Sequence, residues 1–316
     1  MSDVKRHHNR DAKPFASDWL SLREAADARA RSSALTARLK DWLPPRSHRP
    51  LAIIDLGCGT GSNLRYLAPR LPFSQRWRLL DNDPELLARV TPPDDPPNAP
   101  LEWRCHQEDL ARWLRAPDSM HDALKDCDLV SGTALLDLFS ANWLETLAEG
   151  CVDAGAAVLM TLSVDGDWRF VSDGPDDLVV HDARVLALFR DHQRRDKGLG
   201  PALGGEAPTF LARCLERRGY RVELAASPWR LATEAGDEAL GIALIDGWYQ
   251  AAVEQAAVEQ AAVEQAAMEQ AASINSGSTS AWLKDWWLWR RMQFREGLVT
   301  LEVGHLDLLA LPGERS

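Results

Sequence analysis

A glycine-rich turn directly after an apolar run constrains the fold more than any other feature of this chain. The apolar segment Leu51–Leu56 predicts a buried strand, and Gly57-Cys58-Gly59-Thr60-Gly61 follows it. A helical pattern begins next, at about Ser62. Glycines let a ligand approach the backbone, and open α/β sheets bind ligands at the carboxyl edge where the strand order reverses. The turn therefore predicts a ligand site at one edge of a parallel sheet.

Strand and helix patterns alternate along the rest of the first half, which is typical of a parallel sheet with helices on both faces. Further strands are predicted at Trp77–Leu80, Glu102–Cys105, Asp128–Ser131, Ala156–Leu162, Tyr220–Leu224 and Gly297–Leu311. Helices are predicted at Ser17–Leu43, Asn63–Leu71, Pro84–Val90, Asn142–Glu149, Asp182–Arg195 and Pro208–Arg218. We expect an α/β fold with a doubly wound, mostly parallel seven-stranded sheet, an N-terminal helix and a helical insertion.

The predicted insertion contains a five-residue repeat, Gln-Ala-Ala-Val-Glu, which runs four times from Gln250 with Met268 in place of the last valine. Each period advances the valine by about 140° around a helix, so the valines cannot form one buried stripe. The composition favours helix strongly. The repeat therefore predicts a solvent-exposed helix without chemistry of its own.

Composition and charge narrow the class of protein. The formal net charge of −11 argues against nonspecific binding to nucleic acid or to an anionic membrane. The five cysteines are scattered and never spaced as CxxC, which favours reduced thiols and no metal site. The N-terminus has no apolar core of a secretory signal and no stretch is long enough for a membrane span, so we expect a cytoplasmic protein.

A local excess of basic residues in the first fifty positions, including Arg23 and Arg31, runs against the overall charge. Two interpretations stay open: a solvated helix face, or a surface that meets an anionic substrate.

The spacing of the glycines separates the turn from two common nucleotide motifs. The dinucleotide fingerprint would place its third glycine at position 62, which is Ser62, and the lysine of a phosphate-binding loop is absent. Instead, Asp55-Leu56-Gly57-Cys58-Gly59-Thr60-Gly61 resembles the first motif of the class I S-adenosylmethionine-dependent methyltransferases. This resemblance implies a Rossmann-like methyltransferase fold, S-adenosylmethionine as cofactor, and methyl transfer as the activity.

Downstream residues extend the resemblance over about residues 50–165. Asp81, after the second strand, corresponds to the family's acid that accepts the ribose hydroxyls, whereas Asp83 is a helix cap. Asp109 lies where the family places an acid beside the adenine amino group, and the segment from Ser131 lies where the methyl group is transferred. The implied cofactor-binding residues are Asp55, Gly57, Cys58, Gly59, Gly61, Asp81, Asn82, Asp109, Leu110, Ser131 and Gly132.

The acceptor side is predicted from a polar segment after the fifth strand, residues 191–200. It combines donors, acceptors and glycines that suit a polar or anionic acceptor, although a charged helix end with a glycine cap explains it equally well. The candidate substrate residues are Thr133, His192, Arg194, Arg195 and Lys197. Arg23 and Asp27 on the N-terminal helix are expected to close over the site by analogy with related enzymes.

No catalytic residue is assigned, because methyl transfer needs a general base only when the acceptor is protonated. The base candidates are Asp165, His181, His192 and Asp196.

The resemblance also suggests a division of the chain. We expect a disordered start and cap helix in 1–45, the S-adenosylmethionine-binding core in 46–165, and a substrate-side segment with the sixth strand in 166–233. The helical insertion follows in 234–296, and the last strand and tail in 297–316.

The leading interpretation is a methyltransferase that acts on a polar small molecule by in-line transfer. A protein that binds S-adenosylmethionine without methyl transfer, and a protein methyltransferase, stay open as alternatives. Nucleic-acid methylation is disfavoured by the charge, and because Asp95-Pro96-Pro97-Asn98 lacks the aromatic residue of the amino-methylating motif. An NAD-dependent oxidoreductase is disfavoured by Ser62.

Overall fold

The structure, a computed structural model, describes residues 17–43, 49–172, 174, 178–193, 201–269 and 279–313. Its strands in these ranges are β1 Leu51–Leu56, β2 Gln75–Asp81, β3 Leu101–Gln107, β4 Leu129–Thr133, β5 Ala157–Val171, β6 Tyr220–Ala226, β7 Trp229–Leu231 and β8 Thr300–Pro312. Its α-helices there are α1 Ser17–Ala30, α2 Ser33–Trp42, α3 Ser62–Leu67, α4 Pro84–Leu87, α5 Pro117–Leu124, α6 Ala141–Ala154, α7 Val179–Gln193, α8 Ala207–Glu216, α9 Glu238–Glu269 and α10 Thr279–Arg295.

One sheet organises the chain, with the strand order β3-β2-β1-β4-β5-β8-β6 and the short β7 paired to β8. Strands β1 to β5 are parallel, and β8 is antiparallel to both of its neighbours β5 and β6. The predicted α/β class with a mostly parallel sheet is confirmed. The strand order reverses beside β1, so the carboxyl ends of β1 and β4 flank the switch point where such sheets bind ligands.

Both faces of β1 are covered, which explains why five of its six residues are apolar. Ile54 and Leu56 belong to the core on one side of the sheet, whereas Leu51 and Ile53 belong to the core on the other side. Strand alternation sends successive side chains to opposite faces, so the apolar residues of this strand fill two cores at once, and Asp55 is its one polar residue.

The predicted continuous helix Ser17–Leu43 is wrong, because the chain forms two helices that meet at Arg31 and Ser32. The Ser32 hydroxyl accepts a hydrogen bond from Leu35 N (3.2 Å) and caps α2. The backbone N–H of Ser32 donates to Asp307 Oδ2 (2.7 Å), far away in the sequence. The cap and this contact with β8 together fix the break.

The helical insertion packs more closely than its repeat predicts. Ala251, Ala252, Gln255 and Ala256 are buried, and Ala252 and Ala256 belong to a third core with Trp168 and Trp248. The prediction of a solvent-exposed helix is therefore wrong for the first part of the repeat, although Val258 is 52% exposed. Alanines and a glutamine, not the valines, recur at helical spacing on the buried face.

Among the described helices, none combines the length and the apolar character needed to cross a membrane.

Candidate ligand-binding site

A cavity of about 440 Å³ lies at the carboxyl ends of β1, β2 and β4, within the usual size range of small-molecule sites. The predicted residues that line it are Asp55, Gly57, Cys58, Gly59, Asp81, Asn82, Asp109, Leu110 and Thr133. Residues separated by almost eighty positions in the sequence therefore meet at one point of the sheet.

The turn after β1 needs glycine for two reasons. Gly57, Gly59 and Gly61 have φ angles of +61°, +53° and +84°, in the left-handed region that disfavours side chains. A Cβ at Gly57 would also lie 2.7 Å from Leu135 Cδ1, and one at Gly59 would lie 3.1 Å from Leu20 Cδ1. Gly61 caps the N-terminus of α3 and does not line the cavity, so its role is conformational.

The Asp81 carboxylate is held at the cavity wall by the backbone. Gly59 N–H donates to Asp81 Oδ2 (2.8 Å), and Asp83 N–H donates to Asp81 Oδ1 (3.0 Å). Because an ionised carboxylate has about four acceptor positions, two acceptor positions remain after these bonds. Asp83 caps α4 by accepting from Glu85 N (2.8 Å), as predicted.

A buried polar network underlies the same wall. Asn63 Nδ2 donates to Asp55 Oδ1 (2.7 Å) and to Ser131 Oγ (2.8 Å), and Arg31 Nη1 donates to Asn63 Oδ1 (2.6 Å). Burial raises the pKa of Asp55 to about 7, against the opposing effects of the Asn63 hydrogen bond and the Arg31 charge. Asp55 Oδ2 is buried and accepts no hydrogen bond from the described residues. A ligand that brings a donor or a positive charge would satisfy it.

The network contains two residues whose site role the sequence did not predict, Asn63 and Arg31. The only sequence signal for Asn63 is a polar residue in the first turn of a helix that is otherwise buried.

The side of the cavity next to β3 is formed by the loop after it. Asp109 Oδ1 accepts from Ala111 N (3.0 Å) and caps a short 3-10 helix, Leu110–Leu114, so its carboxylate is fixed at the cavity. Glu108, which also lines the cavity, was not predicted.

The wall beyond β4 is mostly apolar, with Leu135, Leu138 and Phe139 beside Thr133. The Thr133 and Thr161 hydroxyls are hydrogen-bonded to each other (2.9 Å).

Two predicted residues of β4 lie behind the wall that they were expected to form. Ser131 and Gly132 are buried and do not line the cavity. A Cβ at Gly132 would lie 3.1 Å from Met160 Sδ and 3.3 Å from Leu56 O. Strand packing, rather than ligand approach, therefore accounts for this glycine.

Helix α1 covers the cavity through Leu20, Arg23 and Asp27, as expected for the N-terminal helix. Arg23 Nε donates to Asp27 Oδ2 (3.0 Å), and Trp229 Nε1 donates to Asp27 Oδ1 (3.1 Å). Burial raises the pKa of Asp27, while the Arg23 guanidinium opposes the shift.

The structure does not bring the substrate candidate His192 to the cavity. His192 lies on α7 and its Nε2 is 3.1 Å from Glu254 Oε2 on α9, because α7 packs against the insertion. Among the base candidates, Asp165 and His181 do not line the cavity either. The remaining candidates, Arg194, Arg195, Asp196 and Lys197, lie outside the described residues.

No protein-family model matches the chain, and no curated protein matches it either. Solved structures with a similar arrangement include a putative type II methyltransferase from Anaeromyxobacter dehalogenans, at 12% identity over 90% of this chain and 98% of that chain, with a TM-score of 0.45. A cyclopropane synthase from Mycobacterium tuberculosis is 12% identical over 95% and 99% of the two chains, with a TM-score of 0.40. A SAM-dependent methyltransferase from Geobacter sulfurreducens, in complex with S-adenosyl-L-homocysteine, is 12% identical over 92% and 97%, with a TM-score of 0.38. At these identities and TM-scores, a function has to be argued from the cavity itself.

Proposed function

We propose that this chain is an S-adenosylmethionine-dependent methyltransferase that acts on a polar small molecule. The observation that carries the proposal is the Asp81 carboxylate, fixed at the glycine turn by Gly59 N–H and Asp83 N–H. Its two remaining acceptor positions suit the two hydroxyls of a ribose. Ser62 and the missing phosphate-loop lysine argue against a dinucleotide or a nucleoside triphosphate in the same turn.

The other residues of the cavity fit the remaining parts of this cofactor. Gly57 and Gly59 line the cavity and present backbone without a side chain, and the Asp109 carboxylate would accept the adenine amino group. Asp55 Oδ2, a buried acceptor without a described partner, would accept the α-amino group of the methionine part.

When bound, the cofactor supplies an electrophilic methyl group on a sulfonium sulfur. The work of this chain is then to orient the acceptor and to exclude water. Leu135, Leu138 and Phe139 provide an apolar wall, and α1 covers the cavity.

A polar acceptor is supported by the pair Arg23 and Asp27 in that cover. Arg23 offers donors and Asp27 offers acceptors to a polar group of the acceptor. The raised pKa of the buried Asp27 carboxylate also suits it to take a proton from an acceptor. We therefore propose Asp27, rather than the four candidates named from the sequence, as the base if the reaction needs one.

Calorimetry with S-adenosylhomocysteine and with NAD tests the cofactor assignment. We expect S-adenosylhomocysteine to bind the wild type and NAD not to bind. Two hydrogen bonds to a charged group are lost in Asp81→Ala, so its affinity should fall about a hundredfold. Asp94→Ala removes an exposed aspartate and should keep the wild-type affinity. If Asp81→Ala and the wild type bind S-adenosylhomocysteine with equal affinity, that result would falsify the ribose assignment. If the wild type binds NAD more tightly than S-adenosylhomocysteine, the proposed cofactor is wrong.

The acceptor class is tested with methyl-labelled S-adenosylmethionine and a fractionated cell extract. We expect S-adenosylhomocysteine to form and the label to appear in a polar small molecule. Label in the protein fraction would favour a protein methyltransferase. Tight cofactor binding without any product, over all fractions, would favour a binding protein.

A further inference from the structure

A second cavity, of about 170 Å³, lies between α1 and α3 and has an unusual charge. Its polar and aromatic lining consists of Glu24, Arg31, Ser62, Arg65, Tyr66 and Arg70. Three guanidinium groups and one carboxylate leave a surplus of two positive charges, in a chain whose net charge is −11. A cationic cavity on an acidic protein indicates a specific anionic ligand rather than a general affinity for polyanions.

Arg65 contributes least to this surplus because its charge is already compensated. Its Nε and Nη2 form two parallel hydrogen bonds to the Glu24 carboxylate, each of 2.6 Å. Its Nη1 donates to Thr60 O (2.6 Å) and to Thr91 Oγ1 (3.2 Å).

Arg70 carries most of the surplus, because it has no ion pair with a carboxylate in the described part of the chain. Arg31 has no carboxylate within ion-pair distance there either, although its charge also acts on the buried carboxyl groups of Asp27, Asp307 and Asp55. Both guanidinium groups lie over the ring of Tyr66, at 4.4 Å and 3.9 Å from its centroid. Arg70 also donates to Tyr66 O. Two like charges are thus held close to one ring, where a shared anion would relieve their repulsion.

Arg31 also has an unused donor. Its exposed fraction is 6%, and its Nη1 donates to Asn63 Oδ1. Its Nε is buried without a hydrogen-bond partner among the described residues. Buried donors in native proteins are nearly always satisfied, and the Arg31 side chain lines the cavity, so its unpaired donor favours a ligand there.

We propose that this cavity binds a small dianionic oxyanion of the phosphate class, held by Arg31 and Arg70. The cavity is smaller than a typical site for a drug-sized ligand and larger than a single water needs. Guanidinium forks match phosphate oxygens in geometry and in charge. This anion site is separate from the proposed cofactor cavity, although Ser62 lines both cavities. Phosphate binding can therefore be tested without any assay of methyl transfer.

Calorimetric titration of the full chain with inorganic phosphate, near neutral pH and at constant ionic strength, tests the proposal. We expect saturable binding that weakens about tenfold in Arg70→Met, which loses one charged donor. Arg76→Met removes the same charge from an exposed position on β2 and should keep the wild-type affinity. Acetate should bind more weakly than phosphate.

Weaker phosphate binding in Arg70→Met could also result from misfolding, so a second variant is chosen that should bind phosphate more tightly. Glu24→Gln removes the negative charge from the lining, so phosphate should bind severalfold more tightly, a result that misfolding cannot produce. The proposal is overturned by the absence of saturable phosphate binding, by equal affinities in Arg70→Met and the wild type, or by acetate binding as tightly as phosphate. Unchanged or weaker phosphate binding in Glu24→Gln overturns it as well.

Discussion

Gly59 donates its backbone N–H to Asp81 Oδ2 over 2.8 Å, and this bond ties the turn after β1 to the end of β2. The carboxylate that we assign to the ribose is therefore positioned by a residue that has to be glycine, with a φ of +53°. The turn shapes the cavity and also aims the side chain of its neighbour. This dual role explains how a short turn and a distant acid form one site.

The role of Gly59 can be separated from simple backbone strain. Gly59→Ala and Gly236→Ala both place a Cβ at a positive φ, which should cost each variant about 1 kcal/mol of unfolding free energy. Only the new Cβ at Gly59 meets a neighbour, Leu20 Cδ1 at 3.1 Å, because no atom lies within 4 Å at Gly236. We expect a loss of S-adenosylhomocysteine affinity of about tenfold or more in Gly59→Ala alone. Urea unfolding and calorimetry measure the two effects, and equal affinity losses in both variants would refute the link to Asp81.

The buried Asp55 should make stability depend on pH. Burial raises its folded pKa to about 7 from 3.8, so between these values the unfolded chain releases a proton that the folded chain keeps. The stability that the folded chain gains by keeping this proton is fully present below the unfolded pKa of Asp55, and it is lost as the pH rises towards 7. The stability of Asp55→Asn relative to the wild type should therefore improve by about 2 kcal/mol from about pH 5 to pH 7.

Urea unfolding at several pH values measures this difference. The exposed variant Asp94→Asn is the control, and its stability relative to the wild type should stay constant. A difference for Asp55→Asn that does not change with pH would contradict the raised pKa.

The Arg23–Asp27 pair should behave as a buried ion pair. Asp27 is 3% exposed, so Arg23→Met leaves a buried carboxylate without its partner and should cost about 3 kcal/mol of unfolding free energy. Adding Asp27→Asn removes that charge, keeps an acceptor for Trp229, and should recover most of the loss. Arg76→Met breaks an exposed pair and should cost no more than about 0.5 kcal/mol. Equal costs for Arg23→Met and Arg76→Met in urea unfolding would rule out the buried pair.

The repeat of α9 allows the same substitution to be compared at a buried and at an exposed copy of one repeat position. Ala252 and Ala257 occupy the same place in consecutive repeats, but Ala252 is fully buried and Ala257 is exposed, because five residues rotate the helix by about 140°. Ala252→Leu should destabilise the protein by about 1–3 kcal/mol through overpacking, whereas Ala257→Leu should change stability by less than about 0.5 kcal/mol. Thermal unfolding of both variants checks this, and similar melting temperatures would mean that α9 does not pack as described.

Prediction from sequence succeeded where a local requirement leaves a local signature. The Asp83 cap and the strand β1 followed from patterns within a few residues. It did not show that Ser131 and Gly132 lie behind the cavity wall, because a motif does not reveal which side of a strand end faces the cavity. It failed for α9 because the buried face consists of small residues that carry no hydrophobic stripe.

The α/β class and the glycine turn could be predicted from the sequence, because strand periodicity and glycine turns are properties of short segments. Asp81 and Asp109 were named from the resemblance to the methyltransferase motifs, and both line the cavity. The three-dimensional fold was needed to show that His192 pairs with α9 and that Arg31 connects to Asp55 through Asn63. The cover formed by Arg23 and Asp27 was expected by analogy alone, and the fold supplies its contacts. These contacts join residues far apart in the chain. Their geometry depends on how helices pack over the sheet, and no local pattern encodes that packing. The same packing created the second, cationic cavity beside the turn.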